Sequence, residues 1–91
     1  MAKARKQIQP QTGPEKAFGE ALRETRRERG ISQMDLYSAS GIDRTYISAV
    51  ERGVQSPTIR MIARFAKHLK VRPSDLVLRM ERSKLYSERT L

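Results

Sequence analysis

Apolar residues recur at intervals of three or four positions along most of the chain, which is the spacing of amphipathic helices. The first such segment carries Phe18 and Leu22, with Pro14 before it and Gly30 after it. Proline suits the first turn of a helix, and glycine commonly follows the last turn. The pattern therefore predicts a first helix from Pro14 to about Arg29.

Two short helices are expected next. Ser32 is a residue type that caps helix starts, and Gly41 ends the segment that follows it. Asp43 is the N-cap candidate of a third helix, which we expect to run from Arg44 to about Arg52. Because so few residues separate these two helices, they have the arrangement of a helix-turn-helix.

The remaining chain predicts two more helices. The pair Ser56-Pro57 has the form of a cap followed by a proline at the first helical position, so we expect the fourth helix to begin there. Pro73 can start a fifth helix, over residues 74–80. No alternation of period two is long enough to predict a strand. The expected fold is all-α, with five short helices around one core.

A length of 91 residues allows one small domain with loose ends. Residues 1–13 contain Lys3, Arg5 and Lys6 but little that could be buried, so they predict a flexible basic arm. Such an arm either adds contacts to DNA or is simply solvated. Residues 14–80 are expected to form the helix-turn-helix domain, and residues 81–91 a helix extension or a tail.

Charge is the strongest compositional signal. Nineteen Lys and Arg against ten Asp and Glu give a net charge of +9 and a pI near 10.7. This balance is typical of a protein that binds phosphate-rich partners, although a merely solubilising surface is the alternative. The absence of cysteine excludes disulfides and thiolate metal sites and fits a cytoplasmic location. No apolar run is long enough to span a membrane, and no secretory signal is evident.

Catalysis and RNA binding are the other function classes to weigh. His68 is the only histidine, lies among lysines, and has no neighbouring triad or paired carboxylates, so we expect neither an enzyme nor a metal or cofactor site. Aromatic residues make up 5% of the chain, too few for an evident base-stacking platform. Double-stranded DNA is therefore the expected partner.

The third predicted helix has two different faces. Ile47 and Val50 lie three apart on one face and should be buried. Arg44 and Thr45 lie elsewhere near its N-terminal end, where a helix entering the major groove contacts bases. The guanidinium of Arg44 can bond guanine O6 and N7, and the Thr45 methyl can contact thymine.

An ordered set of motifs resembles the Cro/repressor-like (XRE-type) helix-turn-helix family, over roughly residues 18–78. The matching pieces include R-x-x-x-G-I-S-Q from Arg26, R-T-Y-I-S-x-V-E-R-G from Arg44, and S-P-T-I-x-x-I from Ser56. The resemblance implies a lambda-repressor-like DNA-binding domain. It also implies a sequence-specific regulator that binds a near-palindromic operator as a homodimer.

The resemblance assigns roles to three groups of residues. An ion pair between Arg26 and Glu51 would brace the fold, whereas the alternative has Glu51 contacting a cytosine. Gln33 either bonds a phosphate, braces the third helix or is solvated. In the family, bases are contacted from the positions of Arg44, Thr45, Ser48 and Ala49, and the DNA backbone from those of Gln33, Tyr46 and Arg52.

The fifth helix is more apolar than one buried face requires. Leu76, Val77 and Met80 are therefore predicted to form a homodimer interface. The alternative is that this region binds a partner protein, as in antitoxin-type or phage-repressor-type regulators. Within the family, the motif around the third helix looks most similar to controller proteins of restriction–modification systems.

One residue departs from the family pattern. Tyr37 stands where the family usually has alanine, at the close crossing of the second and third helices. Either its ring leans out past the third helix, or the two helices sit further apart. Ser40 is also unexpectedly polar for a position that packs the turn.

Overall fold

The computed structural model describes residues 12–88 and Leu91. It contains five helices in this part of the chain: α1 Pro14–Glu28, α2 Gln33–Ser40, α3 Arg44–Glu51, α4 Ile59–Leu69 and α5 Pro73–Arg82. No strand occurs among these residues, and the all-α prediction is confirmed. The predicted basic arm lies outside the described residues except for Thr12 and Gly13.

A single core connects all five helices. α1 packs along α5 and crosses α3, while α4 packs against α2 and α5. Each helix contributes at least one fully buried apolar side chain, so the amphipathic pattern of the sequence becomes one shared interior. The core residues are Phe18, Leu22, Leu36, Ile42, Ile47, Val50, Phe65, Ala66, Leu69 and Leu76.

The ends of α2 are where the sequence predicted them. The Ser32 hydroxyl accepts from the Asp35 amide at 2.9 Å, and the Asp35 carboxylate accepts from the Ser32 amide at 2.9 Å. This reciprocal capping box satisfies two amide groups at the helix start. Gly41 ends the helix with φ of 75°, a conformation that favours glycine.

The predicted start of α4 is wrong by two residues. Thr58, not Ser56, caps the helix, and its hydroxyl accepts from the Met61 amide at 3.1 Å. Thr58 combines a capping hydroxyl with an extended backbone, so residues 56–58 remain a connection. α5 begins at Pro73 and continues to Arg82, beyond the expected end at Met80. The chain then turns back, and the Leu85 carbonyl accepts from the Gly13 amide at 2.6 Å.

α1 and α3 approach each other most closely at Gly19. A Cβ atom added there would lie 2.4 Å from the carbonyl oxygen of Glu51 and 2.5 Å from that of Val50. Only glycine fits between these two backbones. This contact sets how closely α3 lies on the domain.

The two unusual polar positions of α2 are both accommodated. Tyr37 is 45% exposed, so its ring leans outward, which is the first of the two alternatives. The Ser40 hydroxyl donates to the Leu36 carbonyl at 2.6 Å and accepts from the Ile42 amide at 3.0 Å. Ser40 therefore stabilises the turn between α2 and α3 through hydrogen bonds to its backbone, and not through apolar packing.

One predicted interface residue belongs to the core. Leu76 is 0% exposed within the single chain, so its side chain has no surface to offer a second protomer. Its place in the dimer prediction is wrong because α5 turns that residue towards α1 and α4. Val77, at 36% exposure, and the half-buried Met80 remain accessible.

Candidate nucleic-acid interface

The orientation of α3 follows from its two buried residues. Ile47 and Val50 are both fully buried and fix the inner face of the helix. Arg44, Thr45 and Arg52 are exposed on the remaining surface. α3 therefore presents hydrogen-bond donors to solvent from a helix that the core holds in place.

Most of the predicted DNA-contacting residues meet in one shallow surface depression. Its lining consists of Gln33 from α2, Arg44, Thr45 and Ser48 from α3, and Arg52 immediately after α3. The Arg52 Nε donates to the Ser48 hydroxyl at 3.4 Å, which orients the guanidinium along the helix. The depression thus combines two guanidinium groups, two hydroxyl groups and the side-chain amide of Gln33.

Tyr46 and Ala49 do not line this depression. The Tyr46 ring stacks on Phe65, with centroids 6.3 Å apart, so it packs α3 against α4. Burial raises the pKa of its phenol, and the backbone amide of Thr58 partly opposes this. The Ala49 carbonyl accepts the amide of Val54 at 3.0 Å and closes the turn after α3, while its methyl group is half-buried.

Arg26 and Glu51 form a buried, bidentate ion pair below the depression. The Arg26 Nε lies 2.7 Å from Glu51 Oε2, and Nη2 lies 2.9 Å from Oε1. Arg26 Nη1 also donates to the Ile31 carbonyl at 3.0 Å. Because the Glu51 side chain has no exposed surface, the structure contradicts the alternative that it contacts a cytosine.

Gln33 is held by the same carboxylate. Its side-chain amide donates to Glu51 Oε1 at 3.0 Å, so the bracing alternative is observed. Burial alone would raise the pKa of Glu51, but hydrogen bonds from Arg26 and Gln33 outweigh it and hold that pKa below its ordinary value. One ionised carboxylate therefore joins α1, α2 and α3 beneath the surface that faces outward.

Sequence reasoning missed two residues at this site. Arg23 lies 3.5 Å from Glu51, and Gly19 allows the close approach of α3. The helical spacing to Arg26 could have indicated Arg23, because residues three apart share a face. Gly19 carries no local signal, since it lies inside a helix and its partner is remote in sequence.

Within residues 12–88 and at Leu91, no group of His, Cys, Asp or Glu has an arrangement that could hold a metal ion. In the same part of the chain, no helix is both long and apolar enough to cross a bilayer.

The fold and this exposed helix define a helix-turn-helix protein of the DNA-binding type. A family model named HTH_3 and described as "Helix-turn-helix" matches residues 22–76, and the chain belongs to this family. The match begins within α1 and ends within α5, so it covers the site and most of the core.

Named relatives give the same class. The chain is 34% identical over 62 residues to the uncharacterized HTH-type transcriptional regulator y4dJ of Sinorhizobium fredii, covering 68% of this chain and 80% of the relative. The crystal structure of the restriction–modification controller protein C.AhdI from Aeromonas hydrophila is 39% identical, with a TM-score of 0.64, over 67% of this chain and 92% of that one. The controller protein C.Esp1396I, a tetramer in complex with its natural operator, is 29% identical with a TM-score of 0.66, over 76% of this chain and 96% of that one.

Proposed function

We propose that this chain is a sequence-specific DNA-binding transcriptional regulator that binds its operator as a homodimer. The observation that carries this proposal is the shared depression on α2 and α3. It gathers Arg44, Thr45 and Ser48 on the exposed helix of an HTH_3 domain, and Gln33 and Arg52 complete its lining. The basic balance of the whole chain supports a phosphate-rich partner.

In the proposed complex α3 lies in the major groove. Arg44 has the planar fork that bonds guanine, Thr45 offers a methyl group to thymine, and Ser48 and Ala49 face the next bases. Gln33, Tyr46 and Arg52 contact the DNA backbone and fix the register of the helix. Glu51, neutralised by Arg26, keeps its negative charge away from the phosphates.

Arg44→Ala should weaken binding to the selected operator by about 1–3 kcal/mol and relax preference at one base pair, because a bidentate base contact is lost. Arg52→Ala is the matched control, since it also removes one exposed arginine from the depression. The control variant should bind the operator and the scrambled duplex more weakly by the same factor, because a phosphate contact carries no sequence information. Fluorescence anisotropy with both duplexes measures the two effects. Equal losses for Arg44→Ala on both duplexes would assign Arg44 to the backbone.

A homodimer is supported by an apolar groove that shares no residue with this depression. Phe18, Ile62, Val77 and Met80 contribute to its walls together with Pro57. Ile59, in the first turn of α4, is 86% exposed although it is a large aliphatic residue. Ile59 lies three residues before Ile62 and so shares that side of α4 with the groove. We propose that a second copy, related by a two-fold axis, buries both. In dimeric helix-turn-helix proteins such symmetry sets the two recognition helices about one DNA turn apart, ~34 Å.

The variant Ile59→Asp/Val77→Asp should therefore be monomeric and should lose affinity for a two-half-site operator. Desolvating two carboxylates in an apolar interface is unfavourable unless they are paired. Leu78→Asp is the control, because Leu78 is 42% exposed on α5 and does not line the apolar groove, although it shares a neighbouring depression with Val77. Light scattering after size exclusion, at several concentrations, measures the mass. A wild-type protein that stays monomeric at tens of micromolar, or a double variant that stays dimeric, contradicts this interface.

The similarity to controller proteins supports the finer proposal that this chain regulates restriction–modification genes. Mapping the selected operator to a position next to methyltransferase and endonuclease genes checks this assignment. We further propose that the protein acts in the cytoplasm and has no catalytic activity, because its relatives are regulators that act through DNA.

A further inference from the structure

Cations and carboxylates lie on neighbouring strips of the outer surface of α1. Glu20, Glu24 and Glu28 follow one another at four-residue intervals and face α5 and the segment after it. Glu20 accepts a hydrogen bond from the Ser83 hydroxyl. Glu28 accepts two hydrogen bonds from Arg79, at 2.9 and 3.0 Å. Glu24 lies 3.8 Å from the same arginine. Glu20 and Glu28 are therefore engaged by hydrogen bonds within the domain, while Glu24 makes only this longer approach.

Two of the three cations on the basic side of α1 lie against α3 or the turn that follows it. Lys16, Arg23 and Arg27 lie at intervals of seven and four residues, which places them on one strip of the helix. The aliphatic part of Lys16 lies against Gly53, in the turn that follows α3. Arg23 approaches Glu51 at 3.5 Å. In the described part of the chain, Lys16 and Arg27 have neither an ion pair nor a side-chain hydrogen bond.

This basic edge is continuous with the depression that faces DNA. Lys16, Arg23, Arg27 and Arg52 line a second groove, together with Glu20 and Glu24 on the side of α5. Arg52 lines both the groove and the depression, so it joins the two surfaces. The carboxylate of Glu51, which also borders the groove, is neutralised by its pair with Arg26.

We propose that the α1 edge formed by Lys16, Arg23 and Arg27 binds backbone phosphates of the same duplex whose bases face α3. This inference rests on the proposed function and extends it beyond the helix-turn-helix. When α3 occupies the major groove, the sugar–phosphate backbone at the edge of that groove is the nearest dense array of anions. A cationic strip next to α3 is therefore placed to contact those phosphates. An acidic protein would need a surface shaped to the same strip, whereas the duplex is already in place.

The test compares the double variant Lys16→Gln/Arg27→Gln with wild type. Arg23 is left unchanged because it contacts Glu51, which supports the fold. Lys67→Gln/Arg72→Gln is the matched control, with the same loss of charge at two exposed residues that line neither the groove nor the depression. Affinity is measured over a series of salt concentrations with a duplex selected by wild type from a random pool, and with a scrambled duplex.

Each phosphate contact contributes about 0.9 to the slope of log K against log salt, so losing two cations from each protomer of the dimer should reduce the magnitude of that slope by about 3–4. Base preference should be unchanged, and hydroxyl-radical footprinting should lose protections outside the base-contacted positions. The control should keep the wild-type slope and footprint. Circular dichroism verifies that both variants are folded.

Two kinds of failure are distinguishable. A wild-type protein that binds neither duplex would overturn the proposed function itself. A wild-type protein that binds with a steep salt dependence, together with an α1 variant that matches the control in slope and footprint, would overturn only the role of the α1 edge. In that case the strip would be free to bind an acidic protein.

Discussion

Glu51→Ala should lower the free energy of unfolding by about 3–5 kcal/mol, which is the usual cost of removing one partner from a buried ion pair. The loss arises mainly from Arg26, which would keep its charge in a buried position without a counter-ion. Gln33 and Arg23 would lose a partner as well. Because the carboxylate also positions α3, specific DNA binding should weaken at temperatures where the variant remains folded.

Urea denaturation followed by circular dichroism measures this effect. Glu28→Ala is the matched control, because Glu28 also receives two hydrogen bonds from an arginine but is exposed. An exposed pair contributes about 0–1 kcal/mol, so the control should be close to wild type. Similar decreases in the free energy of unfolding for the two variants would show that the burial of Glu51 does not increase its contribution to stability. A paired apolar replacement, Arg26→Met/Glu51→Leu, should recover much of the lost stability.

The buried Arg26–Glu51 ion pair also makes the stability of the fold depend on pH. The folded-state pKa of Glu51 is lowered, by hydrogen bonds and charges that outweigh its burial. Its contribution to stability is therefore complete above the unfolded-state pKa and is lost as the pH falls through the folded-state value. Glu51→Ala should remove this part of the acid sensitivity.

Gly19→Ala should lower the free energy of unfolding by about 2–3 kcal/mol, towards the upper end of the usual cost of overpacking. In an unobstructed helix the same change stabilises by roughly 0.5–1 kcal/mol, so the sign is diagnostic. Here the added methyl group would lie 2.4 and 2.5 Å from two backbone oxygens, and neither can rotate away as a side chain would. The helices must separate, and α3 must shift on the domain.

Gly30→Ala separates this displacement from a general loss of stability. Gly30 has φ of 69° and open space around it, so alanine there introduces backbone strain without touching α3. Both variants should melt earlier than wild type in thermal denaturation, but only Gly19→Ala should lose operator preference in the folded state. A Gly19→Ala protein as stable as wild type would contradict the close approach of α1 and α3.

The sequence was most informative where the determinants are local. The Ser32–Asp35 box and the glycine at position 41 specify the ends of α2 within a few residues, so both could be read directly. The burial of Ile47 and Val50 followed from their spacing. These signals need no knowledge of the rest of the chain.

Errors arose where neighbours in space decide the outcome. The run Leu76, Val77 and Leu78 has no period that tells which residue faces the core, and contacts with α1 and α4 select Leu76. Ser56 and Thr58 are both acceptable caps, and only the path of the chain distinguishes them. The resemblance implied the Arg26–Glu51 pair, and bracing of the third helix by Gln33 was one of three alternatives. Nothing in the sequence assigned Arg23 to the same carboxylate.

The position of Glu51 has a consequence for how the protein meets DNA. Its carboxylate ties α1, α2 and α3 together in the free chain, so the helix-turn-helix is preorganised before any duplex arrives. Association then loses little conformational entropy in ordering the protein, and more of the interaction energy appears as affinity. We therefore expect the three helices to keep their relative positions on binding, and the adjustment to occur in exposed side chains and in the shape of the duplex.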